Sequence, residues 1–285
     1  LILACPAAAQ AYGRIVAFGD SLSDNGPADG YGLRVSSNGR VWVDYLAERM
    51  GAALLDMAYT SAQTNYHPVT DSARWGFCWQ IEQYLRTKGV ASADTLYTIW
   101  VGGNDLLMRK GAPERSMTAA IANILAGIDR LIDAGAETIL VMNLPDLGLT
   151  PLMNGQNLHM NGPDQRRQFV DDPAGGSRLS LRFNKALDRA LAPYRHAVRL
   201  IEVDVFALMN QFVAQRAFDN ATHMLMADQP TAKSYMFWDT HHPTDDAHRL
   251  IADAVYQVLT AVSKPTAMLR VETGSVSDRY AVPAD

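Results

Sequence analysis

A serine, a histidine and an aspartate are the residues of this chain whose settings suit nucleophilic catalysis. Ser21 stands in "GDSLSDNG" (19–26), just past the short apolar run "RIVAF" (14–18). Gly, Asp, Ser and Asn are also what a strand-to-helix turn uses, and a serine there can simply cap a helix. Taken alone, the stretch leaves both readings open. A serine nucleophile needs a base, a group to orient that base, and donors for an oxyanion. "FWDTHHPT" (237–244) offers the first two. A tight turn between Asp239 and His242 would set both side chains on one side. The carboxylate could then accept from Nδ1–H and fix the tautomer, leaving Nε2 to face outward as a general base. Pro243 holds the chain extended at His242 and lets a helix begin directly after it. A structural turn with surface histidines is the plain alternative. A metal site from His241, His242, His248 and nearby aspartates is a third. Adjacent histidines rarely point the same way and no second cluster adds ligands, so no metal is assigned. "VGGNDLL" (101–107) offers the donor. An asparagine after two glycines at a strand end can aim its amide at developing negative charge, although "GGND" equally suits a type I′ or II turn.

The elements that must hold these residues follow from periodicity. Strand-like runs at 14–18, 53–58, 95–101, 138–144 and 197–205 alternate with helical segments at 41–50, 77–87, 117–135, about 179–194, about 206–217 and 245–259. In the last of these, Ala247, Leu250, Ile251, Ala254, Val255 and Val258 recur at spacings of three and four. Alternation of this kind predicts βαβ units and a five-stranded, parallel, doubly wound sheet with helices on both faces. Ligands of such sheets bind at the carboxyl ends of the strands, where Ser21 and "GGND" both fall. The Gly/Asn/Asp-rich stretch 152–177 reads as an excursion over the sheet edge, and the chain from Lys264 has no clear pattern.

With 285 residues, 48% hydrophobic and 19% charged, the chain has ordinary globular composition and enough length for a large core. A net charge of -5 argues against a nucleic-acid partner, because phosphate contacts need clustered Lys and Arg. There is no apolar run long enough to span a membrane, and G-x-S-x-G, H-E-x-x-H, the P-loop and G-x-G-x-x-G are all missing, so no cofactor is expected. "LILACPAAAQA" reads as the end of a secretory signal peptide, with Ala9-Gln10-Ala11 as cleavage site. That favours a secreted or periplasmic protein over a lipoprotein attached at Cys5. The expected organisation is a leader remnant at 1–11, one domain at 12–263 and a tail at 264–285. Cys78, in "WGFCWQI", reads as a packing residue.

In this order the pieces resemble the GDSL (SGNH) hydrolase family, whose fold is a three-layer α/β/α with a flavodoxin-like sheet. "FGDSLSDNG" matches its first block and gives Ser21 the nucleophile role. "GGND" matches the third and gives Asn104 the oxyanion role. The D-x-x-H of "FWDTHHPT" matches the fifth and makes Asp239 the acid and His242 the base. His241 falls on a variable position and inherits nothing. "SNGRVWVDYLA", "LYTIWVGGND", "ILVMNLPDLGLTP" and "HRLIADAVY" extend the resemblance over most of 14–260. The second block departs. Where the family reads like "NYAVGGA", this chain has "DMAYTSA" (56–62), which puts Ser61 on the glycine whose N–H serves the oxyanion. At positive φ a serine there is strained.

The resemblance implies a secreted serine hydrolase of carboxylic esters, lipid or short-chain, acting through an acyl-serine. An oxyanion hole would be built from Ser21, Ser61 and Asn104. The expected partners are the ester substrate and, transiently, a lipid surface, with the protein a monomer. An acyltransferase using the same acyl-enzyme, a carbohydrate acetylesterase, and a non-catalytic binding protein on the same fold are the alternatives.

Overall fold

The computed structural model describes residues 12–26, 36–66, 75–88, 91–107, 113–156, 172–225 and 234–262. The expected leader, the tail and residues 157–171 of the expected excursion lie outside them. In chain order the strands are β1 (Arg14–Gly19), β2 (Ala53–Asp56), β3 (Thr95–Trp100), β4 (Thr138–Met142), β5 (Arg199–Val203), β6 (Asn220–Met224) and β7 (Tyr235–Phe237). The helices are α1 (Trp42–Met50), α2 (Phe77–Lys88), α3 (Gly103–Leu107), α4 (Pro113–Asp133), α5 (Pro173–Leu191), α6 (Val205–Ala214) and α7 (Asp245–Val262).

Strands β1 to β5 form one parallel sheet in the order β2-β1-β3-β4-β5. The order reverses between β1 and β3, the switch point at which a doubly wound sheet opens a crevice. Alternate strand residues feed two cores. Ile15, Ala17, Leu96 and Trp100 pack with α1, α6 and α7. Val16, Phe18, Tyr97 and Ile99 pack with α2, α4 and α5. Both faces are therefore covered, which is why the strands read as continuous apolar runs rather than alternating ones.

Several boundaries differ from the sequence reading. The fifth helix begins at Pro173, six residues before the expected start. Asp172 caps it by accepting from the Gly175 N–H at 2.7 Å, and proline occupies its first turn, a start that the glycine pair had disguised. The sixth helix stops at Ala214, just before Arg216 takes a positive φ of 54°. The short parallel pair of β6 and β7 and the five-residue α3 were not foreseen.

The two ends of the described chain are tied together. The Asp245 carboxylate accepts from the Arg40 N–H at 2.6 Å and the Tyr45 hydroxyl at 2.7 Å. Arg49 of α1 pairs with Asp253 of α7. These contacts clamp α7, which starts three residues after His242, to α1. The Trp42 indole of α1 in turn donates to Ser23 Oγ at 3.0 Å, two residues from Ser21.

Candidate active site

Ser21 sits in a tight turn that leaves β1 at Gly19. The N–H groups of Ser23 and Asp24 both donate to the Asp20 carbonyl, and the Leu22 N–H donates to Asp20 Oδ1 at 3.1 Å. Glycine is required immediately before. A Cβ on Gly19 would lie 2.4 Å from the Trp100 carbonyl oxygen, so any side chain would part β1 from β3 where the turn begins. The Gln80 side chain holds the same residue from α2. Its Oε1 accepts from the Gly19 N–H at 2.9 Å and its Nε2 donates to the Gly19 carbonyl at 2.8 Å. Gln80 thus acts as a one-residue substitute for a strand partner, fully buried among Phe77, Ile81 and Tyr84. A polar residue on that otherwise apolar face was the available sequence signal, and sequence reasoning passed over it.

The imidazole and carboxylate arrive from β7. A narrow turn follows the strand, with the Trp238 N–H donating to the His242 carbonyl at 2.7 Å. Asp239 Oδ1 accepts from the His241 and His242 N–H groups at 2.9 and 2.8 Å, which leaves Oδ2 facing His242 Nδ1 at 2.6 Å. His242 Nε2 lies 2.8 Å from Ser21 Oγ, across 221 positions of sequence. Burial alone would push the Asp239 carboxyl up. The charge and hydrogen bond of His242, with help from His241, outweigh it and hold the group well below the ordinary carboxylate range. A carboxylate that stays ionised keeps the proton on Nδ1 and the lone pair on Nε2, facing the serine. Asp239, His241 and His242 also offer three metal-ligand atoms within 4.8 Å of one another. That grouping does not fit a metal well, since the 2.6 Å bond between Asp239 and His242 occupies both with one shared proton.

Asn104 lies in the first turn of α3, after Gly102 at φ 121°. Its Nδ2 donates one proton to the Ala62 carbonyl at 3.0 Å, which fixes which way the amide faces and leaves the second proton without an acceptor among the described residues. Ser61 takes a φ of 63°, and the Ala62 N–H closes onto the Tyr59 carbonyl at 3.0 Å. This is the pattern of a type II turn, with Ser61 at the position that normally demands glycine. Asp24 ties this turn to that of Ser21, its Oδ2 accepting from the Thr60 N–H and hydroxyl at 2.7 and 2.9 Å. Neither the Ser21 N–H nor the Ser61 N–H donates to any described residue. Buried backbone donors are almost always paired, so a cluster of unused ones suits an incoming anion.

Ser21 and Asn104 line one cavity with Asp20, His241 and an apolar wall that includes Leu22, Leu107, Leu144, Leu147, Met209 and Phe237. Ser61 is not among the lining residues, and its turn is joined to the site through Ala62, which accepts from Asn104, and through Asp24. Trp42 is buried, while Trp75 is half-buried and stacks on Tyr59 with centroids 4.8 Å apart. Cys78 is half-buried, and burial pushes its thiol up to about 11, away from nucleophile behaviour at neutral pH.

Fold and side-chain geometry define a class: an α/β protein with serine, imidazole and carboxylate in file at the carboxyl edge of a parallel sheet. Within that class the chain belongs to the GDSL-like lipase/acylhydrolase family, whose profile matches residues 15–255. It is 28% identical over 277 residues to a thermolabile hemolysin of Vibrio parahaemolyticus, covering 86% of this chain and 63% of that one. It is 30% identical over 214 residues to a phosphatidylcholine-sterol acyltransferase of Aeromonas hydrophila, covering 68% and 59%. The chain therefore spans roughly three fifths of the length of these relatives. A candidate acylhydrolase from Bacteroides fragilis shares the fold over 88% of both chains, with a TM-score of 0.50 and 12% identity.

Proposed function

We propose that this chain is a serine hydrolase of carboxylic esters that works through an acyl-serine intermediate. Ser21 Oγ attacks the ester carbonyl while His242 Nε2 takes its proton. Asp239 orients the imidazole and stabilises the imidazolium. The tetrahedral oxyanion is held by the Ser21 N–H, the Ser61 N–H and the second proton of Asn104 Nδ2. His242 then returns the proton to the leaving alcohol, and water repeats the sequence in reverse. The observation that carries this reading is the Ser21–His242–Asp239 file, joined at 2.8 and 2.6 Å by residues from opposite ends of the domain. The apolar cavity wall supports an acyl chain as the group bound beside Ser21. Transfer of the acyl group to an alcohol in place of water is a second reading, supported by the acyltransferase relative.

The same reading takes 12–263 as one hydrolase domain, 1–11 as the remnant of a leader for export and 264–285 as a tail. No described helix is long and apolar enough to cross a membrane. The test is covalent labelling with a fluorophosphonate, followed by peptide mass analysis. The expected adduct is on Ser21. No adduct, or one on another residue, would reject the acyl-serine mechanism.

A further inference from the structure

His241 faces the cavity that Ser21 and Asn104 line, yet neither the triad nor the oxyanion donors use its ring. The imidazole lies against that of His242, with centroids 4.0 Å apart and planes tilted by 39°. Three contacts fix it. The backbone N–H of His241 donates to Asp239 Oδ1 at 2.9 Å, the ring Nδ1 lies 2.8 Å from Thr240 Oγ1, and the Thr240 carbonyl accepts from the Leu152 N–H at 2.9 Å. Burial first, and the neighbouring His242 second, push its pKa down to about 3, so the ring is neutral near neutral pH. A neutral imidazole has one donor and one acceptor nitrogen. Nδ1 is occupied by Thr240, while Nε2 has no hydrogen bond among the described residues.

Most of the other polar wall atoms already have partners. Thr150 Oγ1 donates to the Leu147 carbonyl at 2.6 Å, Asn104 serves Ala62 and the oxyanion, and Asp20 accepts from Leu22. The alcohol oxygen of an ester must lie near His242 Nε2 to receive its proton, and so beside the ring stacked on His242. One nitrogen of His241 lies within 4.8 Å of one of His242. In a polyol ester the nearest free hydroxyl sits on the carbon adjacent to the one that bears the ester oxygen, and it is the group placed to approach His241 Nε2. A hydroxyl can donate or accept, so it satisfies His241 Nε2 in either tautomer.

We infer that His241 is the specificity residue for the alcohol side, binding a second hydroxyl of a polyol ester such as a glycerol or sugar ester. This rests on the acyl-serine reading above. The test compares kcat/KM for monobutyrin and propyl butyrate, which share an acyl chain and differ in two hydroxyls. The wild type should prefer monobutyrin. His241→Phe keeps a flat ring against His242 and removes both nitrogens. It should cut that preference about tenfold, the size of one neutral hydrogen bond, while propyl butyrate turnover stays within about twofold. If His241→Phe does not fold, His241→Met makes the same comparison. A wild type without preference, or a variant in which both esters fall together, would overturn the proposal, the latter by showing that the ring only props His242. Fluorophosphonate labelling of Ser21, run alongside, separates this failure from failure of the acyl-serine mechanism, since the label tests the nucleophile without an alcohol group.

Discussion

Asp105 accepts both the backbone N–H and the hydroxyl of Thr64, at 2.9 and 2.7 Å, and all of these atoms are buried. Asn104 immediately precedes Asp105 in one loop, and Ser61 lies three residues before Thr64 in the other. Gln63 Nε2 also donates to the Asn104 carbonyl, at 3.3 Å, and Asn123 of α4 donates to Thr64 Oγ1 at 3.1 Å. The two loops that carry the proposed outer oxyanion donors are thereby fixed to each other through Asp105.

Asp105→Asn should loosen that junction. The amide oxygen can accept from the Thr64 N–H while the NH2 group donates to the Thr64 hydroxyl oxygen, whose own proton then loses its buried acceptor at a cost of about 1–3 kcal/mol. The expected result with p-nitrophenyl acetate is a fall in kcat of about ten- to a hundredfold, with KM within about threefold, because the donors act on the transition state. An unchanged kcat would show that the junction is structural only.

Ser21→Ala should remove turnover of short p-nitrophenyl esters and leave the circular dichroism spectrum unchanged. Asp239→Asn should reduce kcat by about 10³–10⁴-fold, as expected when the orienting group permits the wrong tautomer. Residual activity above a hundredth of wild type in the serine variant would place the nucleophile elsewhere.

Ser61 is held at φ 63°, where a non-glycine residue carries strain of roughly 1–3 kcal/mol. Ser61→Gly should relieve part of it, set against the greater freedom that glycine has when unfolded, for a net gain of up to about 1 kcal/mol in urea denaturation. Its activity should at least equal that of wild type. Ser61→Val keeps the N–H but adds a β-branch at positive φ, and should lose both stability and kcat. A valine variant as stable and active as wild type would show that this turn relaxes freely.

Asp20 gives a pH signature. Burial raises its carboxyl to about 7, against the opposing effects of the Leu22 N–H and His242. The folded state therefore holds a proton that the unfolded state releases near pH 4. The stabilisation from that proton is full below pH 4 and is lost as pH rises through about 7. Asp20→Asn has no such proton, so its stability relative to wild type should rise between pH 4 and pH 7 and then level off. His241 and Asp239 titrate in both proteins and cancel from the difference. A difference independent of pH across that window would mean that Asp20 is ionised throughout.

Much of the architecture was legible because strand, helix and turn signals agreed. The apolar runs at β1, β3 and β4 had nowhere to go but a covered parallel sheet. The blocks around Ser21, Asn104 and Asp239 were legible because each breaks a regular pattern with residues that carry chemistry. Gln80, Thr64 and Asp105 were not, because their importance lies in partners 41 or 61 positions away, and pairing at that range leaves no local trace. Nor could sequence decide the sign of φ at Ser61, which depends on the turn closing from Tyr59 to Ala62.

The clamp between α1 and α7 also sets an order of events in the making of the protein. Ser21 leaves the ribosome early and His242 221 residues later, an interval of roughly 10–45 s at ordinary rates of synthesis. Through that interval Ser21 has no proton acceptor and the cavity lacks the wall formed by Phe237, His241 and Pro243. On the acyl-serine reading proposed above, the nascent chain therefore gains its activity only when the domain closes.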